Sequence, residues 1–286
     1  MISVILPVLN AADTLPDQLG ALASQSFRGS WELVIADNGS TDGSPDIIRN
    51  WRDRLPLIFV EASGTTGGAA ARNLAAKWAR GEVLVSCDAD DVVDVDWLEA
   101  LAAAASEHGF VAGALDYFTL NPHAPRWKRE MLLGPTHWLG RIPFADSANL
   151  AVRKAAFDSI GGFDASLSTV YDVDFSVRLA RSGHELHFAP RAIVAKRMRR
   201  GLSAIWSQSA QWGRDEVVIY KRYRDSSIGP GVVRTRGAEH LKVVATHLSR
   251  LPASFTAASL TTAWVEFAAR HCGRLRGSLE QRMFLP

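Results

Sequence analysis

Over the first 120 residues, short apolar runs rich in β-branched side chains alternate with longer segments in which Ala and Leu recur at helical spacing. Residues 2–6, 31–36, 57–60 and 82–86 read as strands, and the unbroken apolar character of most of them predicts burial on both faces. Helices are predicted over 12–25, 42–51, 68–80 and 96–107. Strict alternation of strand and helix implies an α/β fold, a mostly parallel sheet flanked by helices with right-handed crossovers. Sheets of this kind bind ligands beyond the carboxyl ends of their strands, so the residues just after each strand are the first place to look for function.

After residue 120 the alternation stops. Residues 121–143, with Trp127, His137, Trp138 and several prolines, read as loop with short helix, either a substrate lid or plain surface. Residues 201–225 are predicted helical. Residues 237–273 hold one or two further helices with an apolar stripe of Leu241, Val244, Leu248, Leu260, Trp264, Phe267 and Ala268. That stripe is expected to be core packing or the seam of a homodimer, with a basic amphipathic helix on a membrane surface as the other option.

Charge sharpens this division. The chain carries a net charge of only +2, yet residues 1–195 hold 16 Lys+Arg against 24 Asp+Glu (net −8) and residues 196–286 hold 16 against 6 (net +10). The switch falls at Lys196-Arg197-Met198-Arg199-Arg200, which places a first domain at 1–195 and a basic, mainly helical region packed on it at 196–286. A basic tail on an acidic body faces phosphates or is a solvated helical face. Nucleic acid is not expected, because no recognised binding motif accompanies the charge. With 47% hydrophobic and 22% charged residues the chain has the balance of a globular protein. Its two cysteines, Cys87 and Cys272, exclude a disulfide framework and a structural zinc site. No uncharged apolar run reaches the roughly 18 residues a bilayer span needs, and the N-terminus enters a strand directly without a signal-peptide pattern, so a cytoplasmic location is expected, with peripheral contact at the inner face of the membrane left open.

Three polar clusters follow the predicted strands: Pro7-Val8-Leu9-Asn10, Asp37-Asn38-Gly39-Ser40-Thr41-Asp42-Gly43, and Asp88-Ala89-Asp90-Asp91. In the second, Ser40 and Thr41 are helix N-cap candidates that would hold Asp37 at a strand tip. In the third, three carboxylates within four residues repel one another unless a cation sits among them. Asp-x-Asp at the end of a buried strand suits a clamp for Mg²⁺ or Mn²⁺ with a diphosphate. Further on, Asp172 and Asp174 open a helix, where the dipole keeps a carboxylate ionised. Their spacing sends them to different faces, so one can enter a cleft while the other pairs with Arg178 at i+4.

Taken together, the clusters resemble the large family 2 of inverting glycosyltransferases. The matching pieces are residues 3–10, 36–43, Ala69-Ala70-Ala71-Arg72-Asn73, 88–91, Gly161-Gly162-Phe163-Asp164 and Asp172-Val173-Asp174, in family order across residues 2 to 180. The resemblance implies a GT-A fold, Rossmann-like, with a helical C-terminal extension, and a nucleoside-diphosphate sugar as donor, most naturally a UDP-sugar. It implies that Pro7, Val8, Leu9 and Asn10 line the nucleotide pocket and that Asp37 reads the base edge. Arg72 would lie by the diphosphate part of the site, Asp88 and Ala89 beside the ribose or pyrophosphate, and Asp90 on the metal, Mn²⁺ or Mg²⁺. Asp172 aligns with the catalytic base, which takes the proton of an acceptor hydroxyl on a glycan, lipid-linked or small-molecule acceptor. Asn149, Tyr171, Lys196, Arg197 and Trp212 are candidate acceptor or diphosphate contacts.

Two departures from the family pattern stand out. Tyr171 replaces the acidic residue common before the base, and Lys196 lies near the position where many relatives carry a metal-binding His. A protonated lysine cannot ligate, so either the metal is held by Asp90, diphosphate and water, or Lys196 and Arg197 supply part of the neutralising charge. Other readings are a sugar nucleotidyltransferase, which should carry a Gly-rich basic loop after the first strand, and a P-loop phosphotransferase, whose GxxxxGK[ST] is absent. A non-catalytic nucleotide-sugar binding protein on the same fold is the remaining alternative.

Overall fold

In a computed structural model, residues 1–64, 67–122, 124, 126–139, 142–224, 258–283 and 285 are described. The four expected strands form as β1 (Ile2–Val8), β2 (Trp31–Asp37), β3 (Leu57–Glu61) and β4 (Val83–Cys87). Between them run α1 (Leu15–Ala23), α2 (Ser44–Asn50) and α3 (Gly68–Trp78). A short β5 (Val92–Val93), α4 (Trp97–Glu107) and β6 (Phe110–Asp116) follow. After a 3-10 turn at Arg126–Arg129 come α5 (Glu130–Leu133), β7 (Thr136–Trp138), β8 (Ile142–Phe144), β9 (Asn149–Arg153), α6 (Lys154–Ser159), α7 (Tyr171–Arg181), β10 (His187–Ala195) and α8 (Leu202–Tyr223). The last described helix, here α9, spans Ala258–Gln281. Of the expected C-terminal stripe, Leu241, Val244 and Leu248 lie outside the described residues.

Eight strands make one sheet in the order β3-β2-β1-β4-β9-β6-β10-β5, and β7 pairs with β8 in a separate ribbon. The half from β3 to β4 is parallel, as the alternation requires. The other half is mixed: β9 runs antiparallel to both β4 and β6, β6 and β10 are parallel, and β5 is antiparallel to β10. Strands β1, β2 and β4 are buried almost throughout because helices cover the sheet's faces. On one of them, the buried positions of α3 are Ala69, Ala71, Arg72, Ala75 and Ala76. Such small side chains let the helix approach the sheet closely and carry one long cation, Arg72, inside with it. A cluster of Phe110, Phe157, Phe163 and Phe175 fills the layer beyond, with Phe163 and Phe175 ring centroids 4.4 Å apart.

By contacts the chain divides into two units. One comprises Met1–Leu120, Arg129–Thr136 and Pro143–Arg197, and the other Asn121–Lys128, His137–Ile142 and Met198–Pro286. In the second unit α8 and α9 pack side by side, with Gly213 against the backbone of Arg270 and Arg274, and Gly273 against Ala210. A glycine inside a helix costs about 1 kcal/mol relative to Ala, and here close backbone approach is what it permits. The fully buried Glu216 of α8 lies between Arg270 and Arg274 of α9, 2.8 Å from Arg274 Nε. Burial pulls its carboxyl upward, but the two guanidinium groups outweigh it and hold the carboxyl down at about 2. Gly273→Val would drive a branched side chain into the Ala210 carbonyl, and a stability loss of about 3 kcal/mol is expected from overpacking. Denaturant unfolding followed by helical circular dichroism checks this, and an unchanged midpoint would refute the close crossing.

Candidate active site

The carboxyl ends of β1, β2 and β4 converge as the topology dictates. Val8 and Asp37 are register partners at the ends of β1 and β2, and their loops are laced together. Asn38 N donates to Val8 O at 2.8 Å, Asn10 N to Ser40 Oγ at 2.9 Å, Thr41 N to Asn10 Oδ1 at 2.8 Å, and Ala12 N to Asp42 Oδ2 at 3.0 Å. Asn10 takes a left-handed backbone, φ 49°, which its short polar side chain tolerates. Ser40 and Thr41 do not cap α2, which starts at Ser44. Instead Ser40 donates twice to Asp37, from Oγ to Oδ1 at 2.5 Å and from N to Oδ2 at 3.1 Å. Asp37 is thereby fixed at the end of β2, while Leu9 after β1 stays 54% exposed.

Carboxylate oxygens of Asp88, Asp90 and Asp91 lie within 4.8 Å of one another just after β4. Helix α1 braces this turn, with Gln18 Nε2 donating to Asp88 O at 2.9 Å, Gln18 Oε1 accepting from Val93 N at 3.1 Å, and Thr14 Oγ1 donating to Ala89 O at 3.2 Å. Among the described residues, Arg72, Lys196 and Arg197 meet the cluster. Arg72, 2% exposed, pairs through Nη2 with Asp88 and through Nε with Ser86 Oγ at 3.0 Å. Lys196 Nζ lies 3.1 Å from Asp88 Oδ2 and 2.7 Å from Asp91 Oδ2, the latter at ion-pair distance but off the directions a hydrogen bond needs. Arg197 donates from N to Asp91 Oδ1 at 2.8 Å and from Nε to Asp90 O at 2.9 Å. Burial raises the Asp88 carboxyl, but Lys196 and Arg72 outweigh it and hold it below the usual carboxylate range. Burial likewise pulls the Lys196 ammonium down, and Asp91 with Asp88 overcomes this and keeps it protonated well beyond its ordinary range. Hard carboxylate oxygens at this spacing fit Mg²⁺ or Mn²⁺, with Asp90 and Asp88 the half-buried members able to face a ligand.

Asp172 stands on the first turn of α7, immediately after Val170 in a left-handed conformation, φ 51° and ψ 15°. A β-branched residue is strained there by roughly 1–3 kcal/mol, and strain of this kind gathers at functional sites. The carboxylate accepts from its neighbour Val173 N at 2.9 Å and from the backbone of Ser147. Burial pushes its pKa up to about 7 and the charge of Asp146 adds to the rise, against those two hydrogen bonds and Arg72. Tyr171 links this helix to the acidic cluster. Its hydroxyl accepts from Arg72 Nη1 at 2.9 Å and lies 3.4 Å from Ser147 Oγ, so one guanidinium spans from Asp88 to the residue beside Asp172. Asp174 takes the other face and pairs with Arg178 Nε at 2.7 Å, as the helical spacing implies.

Two sequence candidates find different places. Asn149 is fully buried, accepts from Trp97 Nε1 and donates to Ala114 O and Ala192 O, each at 2.8 Å, so its amide is taken up within the fold. Trp212 belongs to the second unit, where Arg270 lies over its ring at 5.9 Å. Conversely, Asp146 acts on Asp172 through its charge and Ser147 through its backbone, although local pattern marks them only as a polar pair ahead of β9. Among the described residues no helix is long and apolar enough to cross a membrane.

Comparison with known proteins accords with this geometry. The family model for glycosyl transferase family 2 matches residues 3–162, and that for glycosyl transferase family group 2 matches residues 83–269. The chain is 29% identical over 227 residues to glycosyltransferase AglE of Haloferax volcanii, covering 77% of this chain and 74% of AglE. It is 34% identical over 108 residues to the poly(ribitol-phosphate) beta-N-acetylglucosaminyltransferase TarS of Staphylococcus aureus, but that covers 37% of this chain and only 19% of TarS. Among solved structures, the mannosyltransferase PcManGT of Pyrobaculum calidifontis in complex with GDP-Man and Mn²⁺ has a TM-score of 0.68 at 19% identity, over 96% of this chain and 86% of the other. TarS 1-349 in complex with UDP-GlcNAc has a TM-score of 0.56 at 17% identity, over 100% and 93%. The fold is thus GT-A, and with the family match spanning more than half of its length the chain belongs to glycosyl transferase family 2 and is a glycosyltransferase.

Proposed function

We propose that this enzyme moves a sugar from a nucleoside-diphosphate sugar to a hydroxyl of a glycan, lipid-linked or small-molecule acceptor, with inversion at the anomeric carbon. The observation that carries the reading is Asp172, a carboxylate raised to about 7 and joined through Tyr171 and Arg72 to the acidic cluster at the end of β4. A base is most effective when its pKa lies near the working pH. In the proposed step Asp172 takes the proton of the acceptor hydroxyl, the acceptor oxygen forms a bond to the anomeric carbon, and the bond to the diphosphate oxygen breaks with its electron pair. Opposite faces of the sugar are used, hence inversion. Pro7, Val8, Leu9 and Asn10 would line the nucleotide pocket and Asp37 would read the base. Asp90, with Asp88, would hold Mn²⁺ or Mg²⁺, which supplies positive charge to the departing diphosphate. Arg72, Lys196 and Arg197 orient and neutralise around it.

UDP is the first nucleotide to test, since TarS is known in complex with UDP-GlcNAc; PcManGT with GDP-Man makes GDP the second. Calorimetric titration with UDP, GDP, dTDP and CDP, each with Mn²⁺, Mg²⁺ or EDTA, is expected to select one base. Asp90→Ala is expected to bind that nucleotide equally well with Mn²⁺ and with EDTA, losing the increment that the metal gives the wild type, on the order of tenfold or less. A variant that kept the full increment would remove Asp90 from the metal. No binding by any of the four would overturn the donor assignment.

A further inference from the structure

We infer that the Lys196 ammonium is a built-in cation of the diphosphate site, giving donor binding a component that needs no metal. This rests on the nucleoside-diphosphate donor proposed above. The position of Lys196 is set by the sheet. Its N donates to Asp116 O at the end of β6, at 2.8 Å, and the two preceding residues, Val194 and Ala195, pair with Val93 and Val92 of β5. Held on both sides, the chain delivers Lys196 to the carboxylates that follow β4. Nζ lies 3.1 Å from Asp88 Oδ2 and 2.7 Å from Asp91 Oδ2, with the side chain 13% exposed and that of Asp91 1% exposed.

The pairing has a chemical consequence. Among the described residues, Asp88 is paired with both Arg72 and Lys196, and Asp91 with Lys196, while the Arg197 guanidinium donates to the Asp90 carbonyl and pairs with Asp17. The repulsion that makes an acidic triplet demand a divalent ion is therefore already eased by side chains. An ion taken by Asp90 and Asp88 must share Asp88 with an ammonium, which weakens the ion's hold. A diphosphate gains from the same arrangement. A lysine ammonium is a compact point charge suited to phosphate oxygen, and on a four-carbon stem Nζ can exchange a carboxylate oxygen for a phosphate oxygen without moving its backbone. Asp88 would remain paired with Arg72 through that exchange. The Arg197 guanidinium is committed elsewhere, with Nε donating to the Asp90 carbonyl and Nη2 pairing with Asp17 at 3.1 Å.

The test is binding, not turnover. UDP, GDP, dTDP and CDP are titrated calorimetrically into the full chain, in Mn²⁺ and in EDTA, for wild type, Lys196→Met and Lys196→Arg; binding of Mn²⁺ alone is followed by electron paramagnetic resonance. Wild type is expected to bind the selected nucleotide in EDTA within about tenfold of its affinity in Mn²⁺. Lys196→Met is expected to lose most of its binding in EDTA and to hold Mn²⁺ more tightly, whereas Lys196→Arg keeps the EDTA binding. Wild type that binds only with Mn²⁺ would overturn the inference, and this arm stands even where Lys196→Met folds poorly. A Lys196→Met variant that folds and matches wild type in EDTA would overturn it too. Absence of binding by all four nucleotides in both conditions would refute the donor reading, and this inference with it.

Discussion

Asp172→Asn is expected to leave nucleotide affinity within about twofold of wild type and to lower kcat by ~10²–10⁴-fold, the range that a positioned general base contributes. The amide oxygen can still accept from Val173 N, so the turn at the start of α7 should keep its shape. What is lost is the ability to take a proton. In the wild type the pH dependence follows from the cause of the raised pKa. Because Asp172 titrates at about 7, kcat/KM for the donor should fall about tenfold per pH unit below that point, as the base becomes protonated in the free enzyme. Asp146 is the charged group that lifts it beyond the effect of burial, so Asp146→Asn should move the acid limb to lower pH. Stability runs in the opposite sense. A carboxyl whose folded pKa lies above its unfolded value makes the native state bind the extra proton, so stability declines as pH rises from about 4 to about 7 and the penalty is complete above. Asp172→Asn removes that penalty, and the variant should melt at or above the wild-type temperature at pH 8 while lacking activity. Near-normal transfer by Asp172→Asn, or an acid limb unmoved in Asp146→Asn, would remove Asp172 from the role of base.

The parallel half of the sheet was legible in the chain because β1, β2 and β4 are buried on both faces and each helix shows one apolar side. The mixed half was not. Strand β9 is five residues long and its antiparallel direction is set by register with β4 and β6, more than 35 residues away in sequence. Strand β10 contains Pro190 and Arg191, and its register against β6 slips between Ala189 and Ile193, which breaks any period-two signal. Site residues divide the same way. Asp88, Asp90 and Asp172 could be singled out from local pattern, and the Asp174–Arg178 pair from helical spacing. Asp146 acquires its importance from a neighbour 26 positions later, which no local pattern carries. Asn149 shows the same limit: its amide is taken up by Trp97 of α4 and by the carbonyls of Ala114 and Ala192, partners that no local pattern names.

Arg72→Met is expected to cost about 3–5 kcal/mol of stability, the scale on which one partner is removed from a buried ion pair, and to weaken nucleotide binding together with it. Sequence, packing and function meet at this residue. An alanine-lined helix face brings the guanidinium inside, where it is 2% exposed, and every arm is occupied: Nε by Ser86, Nη1 by Tyr171 and Gly68 O, Nη2 by Asp88. A methionine fills similar space but leaves Asp88 to Lys196 alone and leaves the Tyr171 hydroxyl without its charged donor. Arg72→Lys keeps the charge and loses the fork, so it should recover part of the stability and little of the alignment between Asp88 and Asp172. Much of the cost in Arg72→Met comes from the stranded carboxylate rather than from the lost contacts themselves. The double variant Arg72→Met with Asp88→Asn should therefore be less destabilised than the sum of the two singles, by about 0.5–3 kcal/mol in denaturant unfolding. Strict additivity would mean that Arg72 and Asp88 act independently, and the bridge from the acidic cluster through Tyr171 to the helix bearing Asp172 would have no energetic content.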